Sequence, residues 1–361
     1  MKIRFIKSID ASVGRMITSV LPTPKRRPVP APQRCLFIRP GGIGDAVLLL
    51  PALNAFKSAY PSCIIDVLAE KRNAAAFGLT SCIRAVHRYD SLSDFAGVLR
   101  TSYDVVIDTE QWYRLSAVMA RLTGAPMIVG FASNKRKRLF THSVSYLVDQ
   151  YEAYSFFQLL GPLRVEVPAR IAIPFLEPPP AAFEAAVKLL APLSGRPFVS
   201  IFPGASTPQK QWGADRFREL TALLLSRGVS VVLVGGDDSR RDALEIAMGT
   251  QALNLVGRSS LAVSAALIKK GRALVSGDSG LLHIAAGLGT PTVSLFGPSD
   301  VRKWGPQGEA NVVLAAGLPC APCSRFGTTP SCPSALHCLK EIAVKEVAQA
   351  CEALLATEVR S

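Results

Sequence analysis

The sequence predicts an α/β protein made of two Rossmann-like domains facing across a cleft. Three observations lead there. At 361 residues the chain is too long for one ordinary hydrophobic core. Short apolar runs ending in glycine turns alternate with stretches of helical periodicity, the pattern of a parallel sheet covered by helices on both faces. Around residues 174–197 the composition shifts to PFLEPPPAAF, a helix through Lys188 and then APLSGRP, a linker plus an entry helix, and beyond it the same alternation begins again.

The N-terminal stretch, MKIRFIKSIDASVGRMITSVLPTPKRRPVPAP, stands apart from that pattern. Lys7, Asp10 and Arg15 interrupt its apolar residues, so it does not read as a signal peptide. Residues 2–20 read as a basic amphipathic helix and Leu21–Pro32 as a proline-rich linker. A solvated tail and a membrane-surface attachment are the two readings of this segment.

From Arg34 the first series starts. CLFIRP is a strand, GGIGD a glycine turn, and AVLLLPALNAFKSAY a helix with a wide buried face. CIIDVLAE (63–70) and YDVVIDTE (103–110) are further buried strands, and the alternation continues to YEAYSFFQLLGPL. In the second series FVSIFPG is a strand, ADRFRELTALLLSRG a helix ending at Gly228, and VSVVLVGG a strand. SSLAVSAALIKKG is then a serine-capped helix, RALVSGD a strand, SGLLHIAAGLG a helix and PTVSLFG a strand. Residues 342–360 have helical periodicity. The expected division is an extension (1–33), a first Rossmann-like domain (34–175), a linker (176–196), a second Rossmann-like domain (197–340) and a C-terminal helix (341–361).

The net charge of +14 is local. Residues 1–40 carry nine Lys and Arg against Asp10 alone, and Lys135, Arg136, Lys137 and Arg138 add four more. Basic residues spread along a groove with aromatics between them, the usual pattern of a nucleic-acid binder, are not seen, so nucleic acid is not an expected partner. Two patches suit anionic lipid or a phosphate-bearing ligand better. No run of about 18 uncharged apolar residues occurs, so a membrane role is expected to be peripheral. A cytoplasmic location is the expectation, with attachment to the inner face of the inner membrane as a further reading.

Four strand-end segments stand where an α/β sheet places its ligand. RPGGIGDAVLLLP lacks both GxGxxG and the Walker A pattern, so nicotinamide and P-loop readings lose ground. Its Asp45 opens a helix and serves either as an ordinary cap or as a general base. In FPGASTPQKQW, Ser206, Thr207 and Lys210 suit a diphosphate, or form a solvated loop. In LVGGDDSR, Asp237 or Asp238 could accept from a ribose, or cap a helix. SGDSGLLHIAAGLGTP places Asp278, Ser279, Gly280, Leu281 and His283 at a helix N-terminus, where N–H donors and partial positive charge favour phosphate. The residues by themselves point to a phosphorylated, nucleotide-like ligand.

Taken together, RPGGIGDAVLLLP, PGASTPQKQW and SGDSGLLHIAAGLGTPTVSLFGPSDVRKWGP resemble glycosyltransferase family 9, which includes the ADP-heptose:lipopolysaccharide heptosyltransferases. The resemblance runs from about Cys35 to the C-terminus and leaves out the basic extension. It implies a GT-B fold, a nucleotide sugar held mainly by the C-terminal domain, and inverting transfer with no catalytic metal and no cofactor. It makes Asp45 the general base; Ser206, Thr207 and Lys210 the diphosphate grip; Asp278, Ser279, Gly280, Leu281 and His283 the nucleotide loop; and Asp238 the ribose contact. It places the acceptor on the N-terminal domain, where Lys135, Arg136, Lys137 and Arg138 would meet a lipid-linked saccharide bearing phosphates. Some members have His in the helix after the catalytic Asp, where this chain has AVLLLP, and Thr in place of Ser206 and Ser279. Those departures leave the sugar and the acceptor open. Another nucleotide sugar, a sugar-nucleotide epimerase and a peripheral polyanion-binding module are the competing readings.

Cys320, Cys323, Cys332 and Cys338 read C-x2-C-x8-C-x5-C with His337 beside the last. Four thiols at that spacing could bind zinc as a structural ion, or pack a loop without one. Cys35, Cys63, Cys82 and Cys351 lie in or beside strand and helix patterns and are expected in the core.

Overall fold

The structure, a computed structural model, describes residues 10–325, 327–333 and 335–357. The chain divides into two compact units, Met1–Ala172 and Ile173–Ser361. The first unit contains β1 (Arg34–Arg39), β2 (Ile64–Ala69), β3 (Ala85–Arg88), β4 (Val105–Asp108), β5 (Met127–Phe131) and β6 (His142–Val144). They pair in parallel in the order β3-β2-β1-β4-β5-β6. The second unit contains β7 (Phe198–Phe202), β8 (Ser230–Leu233), β9 (Leu253–Asn254), β10 (Ala273–Gly277), β11 (Thr292–Phe296) and β12 (Asn311–Ala315), in the order β12-β11-β10-β7-β8-β9. Counted from its own first strand, each sheet has the doubly wound order 3-2-1-4-5-6.

The order explains the sequence pattern. Central strands are covered on both faces, so β4, β5, β7, β10 and β11 are buried along their whole length and read as largely apolar runs, broken only by Asp108, Ser200, Ser276, Thr292 and Ser294. Periodicity singles out neither the interior strand β5 nor the four sheet edges, β3, β6, β9 and β12, and the edges are all only partly buried. In each sheet the winding reverses once, between β1 and β4 and between β7 and β10. Ile38 of β1 stands opposite Asp108 of β4, and Phe202 of β7 opposite Ser276 of β10. The loops leaving these strand ends therefore sit together, and that crevice is where such sheets hold ligands.

Residues 2–9 of the expected N-terminal helix, 2–20, lie outside the described residues. The remainder forms a π-helical turn, Asp10–Gly14, followed by helix Arg15–Val20. It is part of the first unit, not a detached tail. Asp10 is buried, and its Oδ1 accepts from the backbone N–H groups of Arg114 (2.6 Å) and Leu115 (2.8 Å). Helix Leu115–Leu122 has no side-chain cap of its own, so Asp10 supplies it from over a hundred residues away. Ile17 and Leu21 pack on the core cluster containing Leu36, Ile38, Val106 and Leu139. The entry helix expected through Lys188 forms as Pro180–Leu190 and buries Ala182 and Ala186 within the second unit. Helix Val344–Thr357 packs Val347, Ala348 and Cys351 into the second unit's core.

Candidate functional site

In the second unit a single carboxylate gathers the loops of three neighbouring strands. Asp278 directly follows β10, Lys210 closes the loop after β7, and Ser299 lies just beyond β11. Lys210 Nζ is 2.5 Å from Asp278 Oδ2, and the Ser299 hydroxyl donates to the same oxygen at 2.5 Å. His283 Nε2 lies 3.7 Å from Oδ1. Burial by itself would raise the Asp278 pKa, but His283 and Lys210 outweigh it and hold the carboxyl well below its usual range.

The surrounding loops depend on small residues. A Cβ on Gly204 would stand 2.0 Å from Ser239 Oγ, so only glycine lets that loop close. Helix Gly280–Leu288 begins one residue later than its first polar residue suggests. Ser279 is its cap, accepting from Leu282 N at 3.2 Å and bonded to the Ser276 hydroxyl at 2.8 Å. The helix start, with its N–H groups and partial positive charge, thus opens beside the Lys210 ammonium. Two polar atoms here are buried without a hydrogen-bond partner among the described residues: Thr207 Oγ1 and His283 Nδ1. Ser206 is exposed on the same loop, while Leu281 and His283 are buried. Of the two acids after β8, Asp237 is paired with Arg240 at 2.5 Å. Asp238 is exposed, and among the described residues its side chain accepts only a long bond, 3.4 Å, from the Ser239 hydroxyl.

The first unit has the counterpart at β1 and β4. Asp45 is half-buried in the first turn of helix Ile43–Ala59, where a carboxylate is favoured by the helix dipole. Gly41 has φ +115°, and a Cβ there would meet Arg39 Nη2 at 3.1 Å, so the turn before Asp45 needs glycine. Behind that turn lies a buried network that no local sequence pattern announces. Arg39 is 2 % exposed and donates to the carbonyls of Pro40 (2.5 Å) and Thr109 (2.8 Å) and to Glu110 Oε2 (3.3 Å). Burial would lower its pKa, but the charges of Asp45, Glu110, Glu152 and Asp108 raise it. Gln111 in turn donates to Glu152 at 2.5 Å, and Tyr146 to the same carboxylate at 3.0 Å. The available signal was an arginine at the end of one buried strand and DTEQ at the end of the next.

The family model for glycosyltransferase family 9 (heptosyltransferase) matches residues 94–332. The chain belongs to glycosyltransferase family 9. Lipopolysaccharide heptosyltransferase 1 of Pseudomonas aeruginosa is 28% identical over 313 residues, covering 80% of this chain and 86% of that one. Lipooligosaccharide heptosyltransferase 2 of Haemophilus influenzae is 25% identical over 305 residues, with coverage of 77% and 87%. Among solved structures, the E. coli ADP-heptose lps heptosyltransferase II matches with a TM-score of 0.74 at 23% identity, over 90% of this chain and 99% of that one. The family 9 glycosyl transferase from Veillonella parvula gives 0.77 at 20% identity, with coverage of 92% and 99%. The fold of this glycosyltransferase is thus the two-domain GT-B arrangement of those structures.

The basic run of the glycosyltransferase does not behave as one surface. Lys135, Lys137 and Arg138 are exposed, but Arg136 is fully buried, which corrects its expected place among the docking residues. Its guanidinium pairs with Asp108 and donates to the Glu110 carbonyl, bracing the end of β4. The residues form a 3-10 turn, Lys135–Leu139, and its geometry sends the side chain of Arg136 inward. Of the C-terminal cysteines, Cys320 and Cys323 are exposed, Cys332 is half-buried and Cys338 is buried. Among the described residues, no three His, Cys, Asp or Glu side chains converge as metal ligands. Of the others, Cys35, Cys63 and Cys351 are buried and Cys82 is half-buried.

Removing one member of a buried pair strands its partner, so Arg136→Ala should cost about 3–5 kcal/mol of stability, whereas Lys135→Ala should cost under about 0.5 kcal/mol. Urea unfolding of both variants checks the difference. Asp278 gives a pH test. Its pKa is depressed in the folded state, so its contribution is complete above its unfolded pKa, about 3.9, and fades as pH falls through the folded value. Asp278→Asn should therefore lower Tm by the same amount at about pH 8 and pH 5, with the gap to wild type narrowing only below about pH 4.

Proposed function

We propose that this glycosyltransferase moves heptose from ADP-heptose to the inner-core saccharide of lipopolysaccharide, inverting the anomeric centre without a catalytic metal. The observation that carries the donor half is the Lys210–Asp278 pair beside the Ser279-capped helix. A positive side chain oriented by a buried carboxylate, next to a helix N-terminus, suits a diphosphate leaving group. Ser206 and Thr207 add hydroxyls to that grip, with Gly280, Leu281 and His283 lining the same turn. Asp238, the acid that no arginine occupies, takes the ribose. The heptosyltransferase names of the relatives support the sugar.

Asp45 is the general base of the proposal. It removes the proton from an acceptor hydroxyl as that oxygen forms its bond to the anomeric carbon. The bond from that carbon to the diphosphate breaks, and the electron pair leaves with ADP. Attack on the face opposite the leaving group inverts the configuration. Lys210 and the helix N-terminus offset the negative charge that grows on the diphosphate. Lys135, Lys137 and Arg138 meet phosphates on the acceptor, and the reaction takes place at the cytoplasmic face of the inner membrane.

Asp45→Ala should keep the wild-type Tm and ADP affinity yet lose at least about 100-fold in transfer, the usual contribution of a general base. The assay pairs ADP-heptose with a heptose-free inner-core acceptor. Full activity in the variant would remove Asp45 from the chemistry, and turnover with only UDP- or dTDP-sugars would replace the donor.

A further inference from the structure

We infer that the docked N-terminal segment, residues 10–27, is a membrane-docking face for anionic phospholipid. It requires no assumption about which sugar is transferred. Helix Arg15–Val20 has two faces. Gly14 and Thr18 are buried, and Ile17 and Leu21 pack on the core of the first unit. The opposite face presents Val13, Met16 and Val20, exposed by 39%, 62% and 76%. Met16 and Val20 are four residues apart and so share one side of the helix, with Val13 three residues before. Leu122, 52% exposed, follows Arg121, whose side chain donates to the Pro22 carbonyl and so joins this surface to the segment.

The charges around this apolar row have one sign. Between Ala11 and Gly44 the sequence has no Asp or Glu, and Arg15, Lys25, Arg26 and Arg27 are exposed. The turn Lys135–Leu139 packs beside the helix, with Arg138 donating to the Ser19 carbonyl at 3.2 Å, which adds the exposed Lys135, Lys137 and Arg138. The acids next to this surface are buried: Asp10 as a helix cap, and Asp108 and Glu110 beside Arg136. Exposed apolar side chains ringed by cations match an anionic bilayer, which offers acyl chains and negative headgroups at one surface. A second copy of this chain would bring two cationic faces together, so like charges argue against a dimer. The Asp10 cap and the packed inner face fix the helix before binding, so little ordering is left for the membrane to supply.

The test is co-sedimentation of the full chain with phosphatidylethanolamine vesicles carrying a quarter phosphatidylglycerol, against phosphatidylcholine vesicles. Wild type should bind the anionic vesicles and leave the neutral ones, and about 0.5 M salt should weaken that binding. Met16→Glu/Val20→Glu should lower binding at least roughly tenfold, as should Arg15→Glu/Arg27→Glu. In the Met16/Val20 variant, Tm and transfer to a delipidated, water-soluble acceptor should stay at wild-type values, which separates this inference from the proposed reaction. Equal binding to both vesicle types, no binding, or wild-type binding by either variant would overturn it. A change of oligomeric state in the variants without loss of vesicle binding would make this face a protein interface instead.

Discussion

A carboxylate placed where water barely reaches it governs the second unit. Asp278 must be protonated or matched, because an unmatched buried charge costs several kcal/mol. Lys210, Ser299 and His283 supply the match, each from a different segment. Satisfying that one group therefore fixes the loops after β7, β10 and β11 in a single arrangement. The ammonium of Lys210 is thereby held beside a helix N-terminus instead of ranging through solvent. Small residues are the other half of the constraint: Gly204 and Gly277 let backbone come close enough for the loops to meet.

The first unit repeats the topology with the sign reversed. At its switch point the buried organising groups are two guanidiniums. Arg39 collects Glu110 and two carbonyls at the end of β1, and Arg136 collects Asp108 and a carbonyl at the end of β4. A buried anion presents a cation in one unit, and in the other buried cations stand behind a carboxylate, Asp45. Burial pushes the carboxyls of Asp108 and Glu110 up, while Arg136 and Arg39 pull them down. Burial prevails, so both carboxyls stay above their ordinary range, and their bonds to Arg39 and Arg136 tie together the floor from which Asp45 opens its helix. The same fold thus offers one unit suited to an anionic leaving group and one suited to accepting a proton.

What could be read from the sequence follows from the range of the forces involved. Central strands and the glycine turns after them are local signals, and GGIGD, PGASTPQK and SGDSG stand at strand ends because both signals coincide there. Edge strands are half-buried and mixed in polarity, so β3, β6, β9 and β12 gave no clean run. Burial of a charge is non-local. Nothing within KRKR separates Arg136 from its neighbours; its partner Asp108 is 28 residues away, on another strand. The partnership of Asp10 with Arg114 and Leu115 was invisible for the same reason, so a docked segment read as a tail or a tether. Ser299 lay in plain view after β11, but its value comes from an oxygen that only the folded loop brings near.

The central claim is that Lys210, held by Asp278, recognises a diphosphate. Calorimetric titration of the wild type and Lys210→Ala with ADP and with AMP tests it most directly. Wild type should bind ADP at least roughly tenfold more tightly than AMP, the effect of one well-placed charge on the second phosphate. Lys210→Ala should lose most of that preference while its AMP affinity stays the same. An unchanged ADP affinity in the variant, or no preference for ADP in the wild type, would contradict the account.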